Sequence, residues 1–467
     1  MEENFSSINT PQIVNRKNFT YSYYISEKER RKEPLMRKNK FITSTLILMA
    51  GGAITRFLGF IIKIMYTRII GETGVSLYAI VMPTYSLLIT IASLSLPISI
   101  SKIVAEQKVK SSKILLSSTF IILLLNIILI SIMLLTSKYI ATNLLNNPDC
   151  YYLLIAMTLT LPFISISSIL KGYFFGRQRM IPNTISNIIE QVVKIFLILF
   201  LLPILIQKSV FLAVMGLILF NIVTEIVSIT TFCFFAPKKF TIQKKDFKPN
   251  RKTIKEIFSI SLPTVSSRFI GNIGFFLEPI ILTNILLSCG FSNEYILREY
   301  GAYNAYTIAL LTMPSFFVGA VCSALIPEIS KYQSQNNYPM IKRRFWQAMT
   351  FSFLIGLFFS SIIFFYRTPL LKIIYNTVLG VEYLKILAPF FVLFYLEAPL
   401  MSMLQALGAS KETMKITLIG EIVKLSALTI FSFCKLGIYS LVYAEIINII
   451  LVVFLNIKKV KKYVFST

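Results

Sequence analysis

The chain has 467 residues, of which 55% are hydrophobic and 15% charged, a net charge of +26 and a mean hydropathy of +0.71. Its apolar runs are too many and too long for a soluble core, which leaves an all-α polytopic membrane protein. With no histidine, and five cysteines (Cys150, Cys233, Cys289, Cys322, Cys434) at no ligand-like spacing, the composition excludes zinc sites, imidazole chemistry and a disulfide framework.

Residues 1–36 are polar and of mixed charge, without the apolar core of a signal peptide, and are predicted to be a disordered cytoplasmic tail. Twelve spans follow, near 41–66, 75–101, 114–136, 151–170, 182–206, 209–235, 256–288, 301–326, 345–366, 383–407, 413–434 and 437–457. The first carries Gly52, Arg56, Gly59 and Lys63 at spacings that put both cations on one stripe. A charge at bilayer depth costs several kcal/mol unless it meets protein or water, so the stripe is expected to face the inside of a bundle. Lys63 is near enough to the end of its span to snorkel; Arg56 is not.

The basic residues sort by side. The loops on the side of Met36 hold 28 of the 47 Lys and Arg, and the opposite loops hold eight. The positive-inside rule then puts both termini in the cytoplasm, in a cell membrane, and explains the charge without nucleic acid. The basic stretch 237–255 is read as a cytoplasmic linker between an N-lobe (37–236) and a C-lobe (256–467) that ends in a short basic cytoplasmic tail.

The halves repeat. Arg56-Phe57-Leu58-Gly59 returns as Arg268-Phe269-Ile270-Gly271, and Met82-Pro83 with Leu96-Pro97 returns as Met313-Pro314 with Ile326-Pro327. Glu190 and Lys194 return as Glu421 and Lys424. Six spans per half give both lobes the same orientation, related by a pseudo-twofold axis along the membrane normal. Pro83, Pro97, Pro314 and Pro327 interrupt spans two and eight at matching places, either as gating kinks or as fixed bends.

Inside the spans, Glu190 with Lys194 and Glu421 with Lys424 are spaced to form structural ion pairs on their own helices. Glu225 and Glu445 fit the same account. Arg56 and Arg268, at equivalent places in the two lobes, would repel across a cavity unless an anion came between them. Their donor forks match a diphosphate, with Lys63 nearby. Glu278 and Glu397 have no mirror image in the first lobe. They read either as a site for a coupling proton or Na⁺, or as counter-ions of Arg268 and Lys63.

Thr55-Arg56-Phe57-Leu58-Gly59-Phe60, Arg68-Ile69-Ile70-Gly71, Gly74 with Tyr78, Leu96-Pro97 with Ser101-Lys102, Gly172-Tyr173-Phe174-Phe175-Gly176 and Ile188-Ile189-Glu190-Gln191 resemble the sporulation branch of the multidrug/oligosaccharidyl-lipid/polysaccharide (MOP) exporter superfamily. The resemblance implies a V of two six-helix lobes, alternating access, and export of a lipid-linked saccharide for the spore cortex. It also implies arginines lining the cavity, as in the related lipid II flippases, a pattern that Arg56 matches and Arg268 parallels. Those flippases add two helices that hold the lipid tail; with twelve spans, a gap between the lobes is the expected route here. The expected substrate is an undecaprenyl-diphosphate-linked peptidoglycan precursor, and the expected partners are membrane lipids and cell-wall synthesis proteins. No cofactor and no metal are expected, with coupling to H⁺, Na⁺ or the membrane potential. A polysaccharide-repeat-unit flippase and a drug antiporter of the multidrug (MATE) type are the alternatives. A glycan polymerase would need outer-face chemistry, where Glu72, Asp149, Glu294, Glu299 and Glu382 have no evident partners; a scaffold has no use for buried charge.

Overall fold

The computed structural model describes residues 16–106, 109–236 and 251–465. The expected linker lies mostly outside the described residues. The first helix, α1 (Arg16–Ser93), reaches back across residues 16–36, where composition predicts disorder. It continues as α2 (Leu96–Glu106), α3 (Ser111–Tyr139), α4 (Cys150–Gly176), α5 (Met180–Phe200), α6 (Leu202–Lys208) and α7 (Val210–Phe234). The second half holds α8 (Arg251–Ser288), α9 (Asn293–Gly301), α10 (Ala309–Thr312), α11 (Ser315–Ser334), α12 (Tyr338–Tyr375), α13 (Val381–Ala406), α14 (Ser410–Phe433) and α15 (Tyr439–Val460). Polar side chains start several of them: Ser209 accepts from the Phe211 amide, Ser292 from Tyr295 and Asn337 from Met340.

Among the described residues ten helices are long and apolar enough to cross a membrane, or eleven when the pair Asn293–Thr312 and Ser315–Ser334, bent by 53°, counts as one. The first of them, Ala50–Glu106, is 57 residues long, nearly three bilayer thicknesses if straight. It is not straight. The Tyr66 and Tyr78 rings lie 5.3 Å apart, whereas a continuous helix would separate them by about 18 Å. The chain reverses at Gly71 (φ 67°, ψ −176°), giving twelve spans. Only glycine adopts that conformation readily, and a Cβ there would meet nothing within 4 Å. Gly71→Ala is therefore expected to cost about 1–3 kcal/mol through backbone strain alone, read as a lowered unfolding temperature of the purified protein.

The lobes are joined at the end that carries Gly71. Arg68 donates to the carbonyls of Ile373 and Ile374 at the end of α12, Thr377 donates to Glu72 at 2.8 Å, and Arg298 pairs with Glu72 at 3.7 Å. Asn146 meets Asn284 at 3.1 Å and accepts from Asn293 through its carbonyl at 2.8 Å. In this half one apolar core runs through both lobes, from Ile80 and Leu154 to Tyr300 and Leu384. Toward the basic end it divides. One core holds Leu96, Ile100 and Phe174, and another Leu325, Phe345 and Leu404. The first turns of α8 pack with the former through Ile257, and Ser261 donates to Ser99 at 2.8 Å. The molecule is thus closed at the Gly71 end and split toward the basic end.

The four prolines do not act as matched pairs. The second span breaks just before Pro97, where Leu94 and Ser95 take φ of 44° and 49°, while Pro83 stays within helix. The eighth breaks at Pro314, which caps α11, while Pro327 lies inside that helix. A proline removes a backbone bond, but neighbouring packing decides which one bends the helix.

Candidate functional site

Arg56 sits on the first arm of α1, four residues after Gly52, whose ideal Cβ would touch nothing within 4 Å. The guanidinium crosses to the other lobe and lies along α11: a Cβ on Gly319 would fall 2.5 Å from its Nη1. It lines two cavities. The smaller, about 80 Å³, is completed by Phe316, Gly319 and Ser323. The larger, about 320 Å³, is shaped by Ser315 and Val318 of α11 and by Tyr395, Glu397 and Met401 of α13. The Tyr395 hydroxyl donates to the Leu311 carbonyl at 2.5 Å, which fixes the ring beside the break at Pro314. Among the described residues Arg56 makes no hydrogen bond and no ion pair. An exposed guanidinium in an apolar span is thereby left with its full set of donors for an anion.

The structure brings Arg56 together with Glu397, an acid that faces the same cavity without an ion pair among the described residues. It does not bring in Arg268, which is exposed on α8 and lines neither cavity. Lys63, two turns from Arg56 on the same stripe, is half-buried and lines neither cavity. Of the three expected cations, Arg56 alone lines these two cavities, and the start of α8 packs against the first lobe.

Glu278 belongs elsewhere. It is 2% exposed, accepts from the Tyr300 hydroxyl at 3.4 Å and pairs with Lys424 at 2.8 Å, not with Arg268. Lys424 also holds Glu445 at 2.7 Å. One buried ammonium therefore ties α8, α14 and α15 together. The expected pair of Glu421 with Lys424 is not formed; Glu421 lies against Gly274 instead. Nor do Glu190 and Lys194 pair. Lys171 takes Glu190 at 3.7 Å, and Lys194 donates to Asn221 at 2.8 Å. Spacing on one helix allows a pair, but turning inward lets each charge find partners on neighbouring helices, and burial rewards that arrangement. In the first lobe Glu225 is 8% exposed, and one of its oxygens has no hydrogen-bond partner among the described residues.

Sequence reasoning missed Tyr300, Gly319 and Tyr395. Tyr300 stands two residues before a π-helical turn, Ala302–Ile308, that directs Tyr303 and Tyr306 into the core. Such turns recur at functional sites, but no pattern of residue types marks them.

The model of the family described as polysaccharide biosynthesis protein matches residues 41–333, and stage V sporulation protein B of Bacillus subtilis (strain 168) is 34% identical over 438 residues, covering 91% of this chain and 85% of that protein. The chain belongs to this polysaccharide biosynthesis family, and it is similar over most of its length to stage V sporulation protein B. A second model, MatE, matches residues 279–426. Lipid II flippase MurJ of the same organism is 25% identical over 431 residues, covering 83% of this chain and 76% of that protein. Among solved structures, an inward-facing multidrug resistance MATE family transporter of the MOP superfamily superposes with a TM-score of 0.71 at 15% identity, over 90% of this chain and 98% of that one. A MOP superfamily transporter from Pyrococcus furiosus, described as having a binding pocket of reverse polarity, gives 0.64 at 16% identity, over 92% and 96%. This member of the polysaccharide biosynthesis family is a multi-pass membrane protein.

Proposed function

We propose that the chain flips an undecaprenyl-diphosphate-linked peptidoglycan precursor of the lipid II type, for the spore cortex. One observation carries the reading: Arg56 reaches from one lobe into cavities walled by the other and has no acid partner among the described residues. A cation so placed fits an anionic headgroup better than a cationic drug. With the basic end in the cytoplasm, as the positive-inside rule has it, both termini are cytoplasmic and the split faces the side where the precursor is made. The diphosphate would seat on Arg56 and draw Arg268 toward it as the lobes rock, with Lys63 adding charge along the same stripe. The contacts at Glu72 and Arg68 would then part and release the headgroup outward. The polyprenyl chain would stay in lipid, passing through the gap between the lobes. Glu397, and Glu278 with its lysine, are the groups through which a proton, Na⁺ or the membrane potential would drive the cycle. Pro97 and Pro314, where helices already break, are the bends that would move. The substrate is a lipid-linked saccharide, and cell-wall synthesis proteins are the partners that would supply or consume it.

Glu397 in the Arg56 cavity favours one competing reading, a Na⁺- or H⁺-coupled drug antiporter of the MATE type. Translocation of labelled lipid II in proteoliposomes separates them. Flipping by the wild type supports the proposal; no flipping, together with ion-linked efflux of a cationic dye, overturns it.

A further inference from the structure

We propose that a groove between α12, α13 and α15 at the basic end binds an anionic phospholipid, with one acyl chain in the groove and the phosphate on a cationic rim. The groove has a volume of about 320 Å³ and lies between Phe345, Trp346 and Met349 on one side and Ile457 and Val460 on the other, with Leu400 behind them. These walls are hydrocarbon, aromatic ring and thioether, so an apolar chain is what they accommodate.

The end of the groove is different. Lys461 forms part of its wall. It opens a π-helical turn, Lys461–Phe465, whose Val464 is buried in the same core as Phe345 and Ile341, so the ammonium is held at this end of the groove. On α12, Lys342 and Arg343 precede Trp346 by four and three residues and share its face. Lys461 thus borders an apolar slot, with Lys342 and Arg343 about one turn from Trp346 on α12, at the level where spans nine and twelve reach their basic ends. That is the depth of lipid phosphates, and the depth at which tryptophan settles in a membrane. Charge complementarity selects an anionic amphiphile. A bulk phospholipid suits it better than the tail of the transported lipid, whose diphosphate belongs at Arg56 in other cavities.

Trp346 is the only tryptophan in the chain, so its fluorescence reports the groove directly. The full chain would be reconstituted in phosphatidylcholine vesicles containing rising fractions of either brominated phosphatidylglycerol or brominated phosphatidylcholine. Basic residues near an anionic lipid surface favour it by about fivefold each. Half-maximal quenching is therefore expected at a fraction of phosphatidylglycerol at least about fivefold lower than that of phosphatidylcholine. The combined Lys342→Gln, Arg343→Gln and Lys461→Gln variant is expected to lose this difference while keeping the wild-type response to phosphatidylcholine, which also shows that the groove is intact. Equal quenching by the two lipids in the wild type would mean ordinary surrounding lipid and would overturn the proposal, as would a preference that survives the three substitutions. Unbrominated undecaprenyl phosphate provides a further arm. Relief of quenching at far lower fractions than unbrominated phosphatidylglycerol requires would assign the groove to the carrier lipid and overturn the phospholipid; relief no stronger than that of phosphatidylglycerol supports it.

Discussion

Arg56→Ala is expected to lower the rate of lipid II translocation by about 100-fold or more at matched incorporation into proteoliposomes, with little loss of stability. The magnitude follows from two charge-assisted hydrogen bonds to a diphosphate, each worth about 1.5–3 kcal/mol. The separation of function from stability follows from the structure: the guanidinium has no ion pair or hydrogen bond among the described residues, so removing it leaves no orphaned partner. Arg56→Lys retains the charge and loses the fork, and is expected to fall between wild type and alanine. Gly319→Ala tests the same placement from the opposite lobe, because its methyl group would fall 2.5 Å from Arg56 Nη1 and push the guanidinium aside. A translocation rate unchanged in Arg56→Ala would remove the diphosphate site from this cavity.

The second large effect concerns stability. Lys424→Met is expected to destabilise the second lobe by about 3–5 kcal/mol, because two glutamates at 2.7 and 2.8 Å lose their shared counter-charge while remaining buried. Thermal unfolding in detergent reads this as a large drop in midpoint. Adding Glu445→Gln to Lys424→Met is expected to restore much of the loss, since one of the two uncompensated carboxylates is gone. In the first lobe Glu190→Gln gives the contrast. Its partner stands 3.7 Å away and both side chains are partly exposed, so a change within about 1 kcal/mol is expected. Comparable losses at the two places would refute the asymmetry between the lobes.

The architecture was legible because a bilayer imposes a length and an apolar composition on every span, and because the repeat of Arg56 and Arg268 with their following residues marks two halves. The partners of the buried charges were not legible. Periodicity tells which face of a helix a charge occupies but not which helix stands opposite, so Glu190 and Lys194 read as one pair, whereas Lys171 and Asn221 take them. The same limit applies to Arg268. Equivalent positions in two lobes meet only if the lobes are arranged symmetrically, and the start of α8 packs against the first lobe instead. Sequence symmetry likewise cannot decide between Pro97 and Pro83, since bending depends on whether the surrounding core admits it.

The turn at Gly71 bears on how the protein can be studied. Helix ends at Ile70 and resumes at Glu72, and the residues on either side, Arg68 and Glu72, are fastened to the ends of α12 and α9. The first two spans therefore share no loop. The turn between them runs from Arg68 to Glu72, and both of its charged residues are already engaged by the second lobe. For the same reason an epitope or a protease site inserted between residues 68 and 72 would unfasten the lobes, and a report of accessibility from such an insertion would describe a different molecule. The connection at Gly290, where the backbone leaves α8 at φ of 91° and an added Cβ would meet nothing within 4 Å, is the better place on that face for a label.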